Sequence, residues 1–565
     1  MKYRIAIIGG GPSGMFCYKR LIESSTKISI DIFESQGEIG SGMPYGRRGS
    51  NEEHVTNVSG NEIPHIVSPI EEWLHTLPEE TLRLYNLRLD SVIDYKVLPR
   101  LLFGQYLSSQ FNLLQQRAAD KGIKTTLHLE TTVNDIKDSP EENSVIITVA
   151  SEQFKFDHVI ICTGHMWPKT YEGIIPGYYD SPYPPAKLRK HINHKVAIRG
   201  SSLTAIDAIR TLARYNGAFK QEGDQLSYQV DEKASEFRII MHSRSGLLPG
   251  VRFHLDEPHL SKDSLLSKEE IDQHMKSNDG FLSLDFIFEK DFKEPFKEKD
   301  PAFYDIIKNL SIEEFVGTMM DYRKNRNAFD LFLDEYKEAS QSIRNKESVY
   351  WKEMLAVLSF AMNYPAKHLS AEDMIRLQKT LMPLISIVIA FAPQRSCEEL
   401  IALHNAGRLE VIAVGDDTEI SVSNDGNITY AFDREDGTRQ EEHFSTFVDC
   451  IGQKHLSIDD FPFKSLVDAD LLQAAKIKFR SRDRGMEELK TNRKVTSTGN
   501  NQDFYLNVPG IAISDSFRIV ANDGSEHVRI HIMSVPYIGG YNPDYSGLDF
   551  CEEASTIIVN DILKL

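Results

Sequence analysis

The segment AIIGGGPSG, Ala6–Gly14, constrains the fold more than any other stretch of the 565-residue chain. It sets Gly9, Gly11 and Gly14 in GxGxxG spacing between an apolar run over residues 3–9 and a helical pattern over 13–24. Gly9 permits a tight turn. Gly11 lets backbone approach a pyrophosphate. Gly14 lets helix and strand pack closely. Pro12 and Ser13 open a helix whose N-terminus attracts an anion. Residues 28–34, ISIDIFE, read as a second strand. Its last residue, Glu34, lies 25 residues after Gly9, where a carboxylate accepts hydrogen bonds from an adenosine ribose.

A second unit begins at Lys195. VAIRGSSLTAID, Val196–Asp207, has a β-rich run, a small-residue turn and a helix start. Here the turn reads Gly200, Ser201, Ser202, Leu203, Thr204, Ala205. Ser202 stands where the middle glycine of such a turn normally meets phosphate, which weakens the motif. The free N–H groups of the helix start remain, and they carry most of the anion attraction. Replacing Ser202 by Gly is expected to lower the nicotinamide Michaelis constant if the turn is a tuned site. The following strand, EFRIIMHSR, ends at Ser243 and Arg244. A cation at that place forks onto a 2′-phosphate, which favours NADPH over NADH; the alternative is a surface arginine.

The chain is therefore expected to be α/β, with two Rossmann-like dinucleotide-binding domains and a helical insertion. Residues 1–190 and 446–565 are expected to form the first domain, and 191–254 with 391–445 the second. Residues 255–390, charged and poor in glycine, form the insertion, a candidate substrate or lid region. VLPRLLFGQYLSSQFNLLQQRAA reads as a helix. TTLHLETTVNDIK and NSVIITVAS read as antiparallel partners. LMPLISIVIAFAP, Leu381–Pro393, is too short to span a bilayer and reads as a buried helix or strand.

Further segments carry a resemblance. GEIGSGMPYG, with Gly42, Met43 and Pro44, is similar to the segment that wraps the flavin in two-dinucleotide-fold flavoproteins. ICTGH, with Thr163, Gly164 and His165, resembles the strand end that closes the first part of their FAD domain. GIAISDS carries Asp515, which matches an aspartate near the flavin ribityl-pyrophosphate. PDYSGLDFCEEAS starts a helix at Ser546-Gly547; it either points its N-terminus at the flavin or is an ordinary surface helix. With GSSLTAID, SRSGLLP and VDCIGQ, the whole resembles bacterial FAD/NAD(P)-binding proteins related to flavin-dependent N-hydroxylating monooxygenases. That resemblance implies FAD and NADPH as cofactors. It also implies O2 and a small-molecule substrate, such as an amine or amino acid, oxygenated on nitrogen through a flavin C4a-hydroperoxide. His165 and Asn542 are candidate catalytic helpers, with Trp167, His531 and Tyr537 as candidate neighbours of the flavin. Arg252 and Arg395 are candidate substrate-carboxylate ligands or plain interface arginines. A reductase or dehydrogenase that does not use O2, and a non-catalytic FAD-bound regulatory protein, remain rival readings.

Composition narrows the partners. A net charge of −19 disfavours nucleic acid and anionic membrane. The strand-like start, without a basic segment and cleavage site, argues against a signal peptide. The five cysteines are scattered with no CxxC, so a thiolate metal site and a dithiol centre lose support. A cytoplasmic setting fits best.

Overall fold

The strand Tyr3–Ile8 lies inside a six-stranded sheet. Its neighbours are Ile28–Phe33 on one side and His158–Ile161 on the other, both parallel, with Ile7 level with Ile32 and Ile160. Lys124–His128 extends the sheet beyond Ile28–Phe33, and Glu526–Ile532 extends it beyond His158–Ile161, again in parallel. Arg518–Val520 pairs antiparallel at the outer edge. The inner strands are apolar because both faces are covered, one by helices and the other by the three-stranded meander over 135–156, whose Ile147 and Phe156 share the same core. Pro12–Ser24 packs there with Phe16, Leu21 and Ile22 buried, beside Leu548–Leu563. The computed structural model describes residues 3–85, 87, 97–223, 225–255, 265–363, 365–423, 426–434, 437–454, 456–498, 503–544 and 547–564.

A second, five-stranded parallel sheet repeats this plan. Its order is Tyr178–Tyr179, Thr446–Asp449, Lys195–Arg199, Arg238–Ser243 and Leu409–Ala413. Lys195–Arg199 takes the place of Tyr3–Ile8, and Thr446–Asp449 that of His158–Ile161. Each unit also inserts a three-stranded antiparallel meander before the last of these strands, at 135–156 and at 418–444. The helix Leu203–Tyr215 buries Ala205, Ile206, Ile209 and Leu212, the i, i+4, i+7 stripe that a sheet-covering helix needs.

Several expectations shift. TTLHLETTVNDIK splits into Lys124–His128, which joins the first parallel sheet, and Asp135–Ser139, which alone pairs with Ser144–Val149. GIAISDS does not supply the sheet strand; Glu526–Ile532 does, while Asp503–Ile511 pairs antiparallel with Ala474–Lys478 and Val495–Thr498. Tyr178–Tyr179 and Thr446–Asp449 fall in the second sheet, so the domain edges at 190 and 446 move. VLPRLLFGQYLSSQFNLLQQRAA begins as the strand Val97–Pro99 and continues as the helix Arg100–Asp120. Met382–Val388 is helical.

The insertion is helical over its described residues; 256–264 lie outside them. Capping boxes at Ser267/Glu270 and Ser311/Glu314 start two of its helices. Its core, around Phe292, Leu355, Leu377 and Leu384, also takes in Ile477, Phe504 and Leu506 from the antiparallel sheet after residue 473. Asp291 is 3% exposed there, and its Oδ1 accepts the Leu266 N–H at 2.9 Å. Burial pushes its carboxyl up to about 7. A raised carboxyl binds its proton more tightly folded than unfolded, so stability falls as pH climbs from the unfolded value toward 7, and the full cost persists above it. Asp291→Asn is therefore expected to stabilise the protein at pH 8 by on the order of 4 kcal/mol and to leave it nearly unchanged near pH 4. Urea midpoints at the two pH values check this; equal gains at both would contradict it.

Candidate functional site

The two glycine turns share one backbone. Gly9 has φ 108° and Gly200 φ 107°. A Cβ on Gly9 would stand 2.4 Å from the Cys162 carbonyl oxygen, and one on Gly200 would stand 2.6 Å from that of Cys450. The helix caps also match, with Gly11 at φ −74°, ψ −168° and Ser202 at φ −91°, ψ −167°. Neither cap makes a side-chain hydrogen bond, so the first N–H groups of each helix stay free for an anion.

Ser202 is thereby explained. Its φ is one any residue adopts, and the residue is exposed. Gly11 differs because Gly42 presses on it: a Cβ would stand 3.1 Å from the Gly42 Cα. Gly14 is needed for packing, since a Cβ there would meet the Gly9 carbonyl oxygen at 2.0 Å. Ala205 fills the corresponding place in the second turn and is fully buried.

The first turn opens onto a cavity of about 770 Å³. Of the residues expected near a flavin nucleotide, Gly9, Gly11, Pro12, Ser13, Glu34, Gly42, Met43, Pro44, Thr163, Gly164 and His165 line it. So do Val535, Tyr537, Gly547 and Leu548. Glu34 accepts the Gly10 and Gln36 N–H groups, each at 2.8 Å, which fixes its carboxylate at the strand end. The Ser534 hydroxyl donates to the Thr163 carbonyl at 2.7 Å and ties the last sheet strand to the cavity wall. Gly547, φ 97°, starts the 16-residue helix Leu548–Leu563, so a helix N-terminus faces the cavity; Ser546 lies outside the described residues. This cradle of turn, carboxylate and free helix starts fits a dinucleotide.

Other candidates lie elsewhere. Asp515 is held by Lys367 at 2.5 Å and His368 at 3.5 Å, and their hydrogen bonds and charge keep its carboxyl well below the usual range. With Asn542 it borders a separate small crevice against the insertion. Asp515 sits there because GIAISDS is not the sheet strand. His531 is buried on Asp561 at 2.7 Å. Arg252 is 4% exposed and bonds to Glu62, Ser59 and the Asn57 carbonyl, so it clamps the two units together and is not free for a substrate. Arg395 pairs with Glu398 at 3.0 Å and Glu399 at 3.4 Å on its own helix, away from the cavity.

At the second turn, the Ser201 hydroxyl donates to Ser243 at 3.1 Å and Ser243 to the Leu247 carbonyl. Leu203 and Thr204 open the helix beside Gly452. Arg244 follows its strand as Glu34 follows the first. Its side chain is 68% exposed and, among the described residues, pairs with Asp416 alone, at 3.6 Å, a weak surface pair that a phosphate can displace.

Two loops join the turns. Cys162-Thr163-Gly164-His165 leaves the first sheet, and Cys450-Ile451-Gly452-Gln453 leaves the second at the matching place. His165 Nδ1 lies 3.1 Å from Gln453 Oε1, and Trp167 Nε1 donates to the Gly452 carbonyl at 3.0 Å. Gln453 was not among the sequence candidates. The signal for it was present in the paired CTGH and CIGQ segments.

Residues 6–166 match the family model described as FAD-NAD(P)-binding. Residues 267–389 match the YdhS-like middle domain, so the insertion is a recognised unit. The Escherichia coli (strain K12) protein described as uncharacterized protein YdhS is 28% identical over 472 residues, covering 82% of this chain and 85% of its own. Among solved structures, the reduced ornithine hydroxylase of Pseudomonas aeruginosa is 11% identical with TM-score 0.46, covering 100% of this chain and 99% of its own. The L-lysine 6-monooxygenase of Pseudomonas syringae is 11% identical with TM-score 0.45 and the same coverage. Among the described residues, no helix is long and apolar enough to cross a membrane, and no cluster of His, Cys, Asp or Glu could hold a metal.

Proposed function

We propose that the chain is an FAD-dependent oxidoreductase that draws hydride from NADPH and acts as a monooxygenase on the nitrogen of a small amine or amino acid. The observation that carries the redox reading is the matched pair of turns, whose first glycines share a φ of 107–108° and whose exit loops meet at His165 and Gln453. FAD bound in the cavity would supply the hydride-accepting and O2-reacting centre.

The chain's own part is to bind, orient and exclude water. The turn Gly9–Gly14 and the start of Pro12–Ser24 hold the pyrophosphate, and Glu34 the adenosine ribose. Gly42, Met43, Pro44, Thr163 and Gly164 wall the cavity. The start of Leu548–Leu563 favours negative charge on the ring system. Gly200, Ser201, Ser202, Leu203 and Thr204, with Ser243 and Arg244, hold NADPH. Burial lowers the pKa of His165, which keeps its imidazole neutral at physiological pH and able to take a proton. Cys162 and Cys551 also line the cavity, but both are held as thiols, Cys162 by its contact with Cys17 and by burial, and Cys551 by burial to about 12. Thiols so held are poor nucleophiles, which weighs against disulfide reduction.

The test is direct. Purified protein should carry yellow FAD and consume O2 with NADPH in step with a hydroxylamine product when amines and amino acids are screened. NADPH oxidation without O2 uptake would turn the reading to a reductase, and a colourless protein would end it. Arg244→Ala is expected to raise the NADPH Michaelis constant roughly tenfold while leaving that for NADH unchanged, because one charge-assisted contact to the 2′-phosphate is lost.

A further inference from the structure

The four bonds of the Gln453 carboxamide leave it one orientation. Its Nε2 donates to the Met166 and Lys454 carbonyls, each at 2.7 Å. Its Oε1 accepts the Met166 N–H at 3.0 Å. Turning the amide over would set NH2 against an N–H and the carbonyl oxygen against two carbonyls. Oε1 therefore faces His165 Nδ1, and an oxygen that only accepts requires the hydrogen to be on Nδ1. The ring is also held flat against Trp167, with centroids 5.6 Å apart at 25°, and Trp167 in turn rests on Tyr183. His165 lines the cavity, and its Nε2 has no hydrogen-bond partner among the described residues.

We propose that Gln453 is a positioning residue that fixes His165 as the Nδ1–H tautomer and so presents the Nε2 lone pair to the cavity as the acceptor for an N–H of the substrate. The inference rests on the functional reading above and adds a tautomer and a direction to it. The proton balance is simple: an ammonium substrate gives one proton to Nε2, leaving neutral amine and imidazolium. The second dinucleotide unit thereby contributes to chemistry in the first, because Gln453 belongs to the loop beside the Gly200 turn. Of the charged groups nearby in the chain or along the cavity, Lys454 follows Gln453 and is paired with Asp449 at 3.1 Å, and Glu34, Glu38, Arg47 and Arg48 line the cavity wall.

The test reads the ring itself. Full-length protein labelled with 15N-histidine is examined by long-range 1H–15N correlation, with His165 assigned by its loss in His165→Gln. The parent should show Nδ1 protonated and Nε2 bare at pH 8. Gln453→Leu should move His165 toward the Nε2–H form. Gln453→Glu, which sets a carboxylate against Nδ1, should raise the His165 pKa by at least one unit, and should shift the acid limb of the turnover profile upward by the same amount. A parent that already shows Nε2–H, or a Gln453→Leu spectrum identical to it, would overturn the proposal. The spectrum needs no turnover, so a protein with the stated tautomer but no FAD would sink the functional reading alone.

Discussion

Gly200→Ala is expected to destroy NADPH binding while the protein stays yellow, and Gly9→Ala is expected to lose the flavin. Both positions hold φ near +108°, where an alanine pays roughly 1–3 kcal/mol of backbone strain. Both also bring the new methyl to within 2.6 Å of a carbonyl oxygen in the neighbouring strand's exit loop, at Cys450 and Cys162 respectively. Neither oxygen belongs to a side chain that can swing away, so the turn itself must shift. A turn moved by about 1 Å no longer aims its N–H groups at a pyrophosphate. The expected result is a rise of at least about 100-fold in the NADPH Michaelis constant for Gly200→Ala with an unchanged ratio of flavin to protein absorbance. Gly9→Ala should purify colourless. By the same geometry Ser202→Gly should change NADPH binding by less than about threefold, because Ser202 is exposed and unstrained. A Gly200→Ala protein with normal NADPH kinetics would place the nicotinamide elsewhere.

The contrast between these positions marks what the sequence makes legible. GxGxxG and its flanking apolar runs are local, so the first turn, its helix and Glu34 could be located from residues 3–34 alone. Ser202 is not judged that way, because its tolerance depends on a φ of −91° and on its exposure, whereas Gly11 has Gly42 against it. The last sheet strand was misplaced for a related reason. GIAIS is the more apolar run, but strand choice is decided by pairing with His158–Ile161, and in HVRIHI the polar residues are matched instead of exposed, His527 and Arg529 by Asp138 and His531 by Asp561. The arginines show the limit most plainly. Arg252 looks like a carboxylate ligand until Glu62, 190 residues away in the chain, is found against it. His165 and Gln453 are separated by 288 residues and are linked only by the repeat of the whole unit.

That repeat also makes Asp207 a sensitive point. It sits on the second-turn helix, 4% exposed, yet its partners come from the first unit and the linking segment. Arg100 meets its Oδ2 at 2.5 Å, and the Tyr183 hydroxyl donates to the same oxygen at 3.0 Å. His54 Nε2 lies 3.2 Å from its main-chain carbonyl and from Thr211 Oγ1, and the Thr211 hydroxyl donates to Glu53. Burial alone would raise the Asp207 carboxyl, but the Arg100 charge and the hydrogen bonds from Arg100 and Tyr183 hold it below its usual value. Its stabilising contribution is thus present above about pH 4 and lost as pH falls through the depressed folded value. Asp207→Asn keeps the shape and removes the charge, leaving the Arg100 guanidinium buried without its counter-ion. The expected cost is about 3–5 kcal/mol at pH 7, shrinking below pH 4, read from denaturant midpoints across pH. Tyr183→Phe should cost less, about 1–2 kcal/mol, since one hydrogen bond to the carboxylate goes and no charge is stranded. Arg100→Met combined with Asp207→Leu should recover most of the loss, because an apolar pair asks for no compensation. If that double variant is stable but transfers hydride slowly, the buried pair serves to hold the two dinucleotide units in register. If it is as unstable as Asp207→Asn alone, the pair is not the source of the loss, and the Thr211 and His54 bonds become the element to dissect.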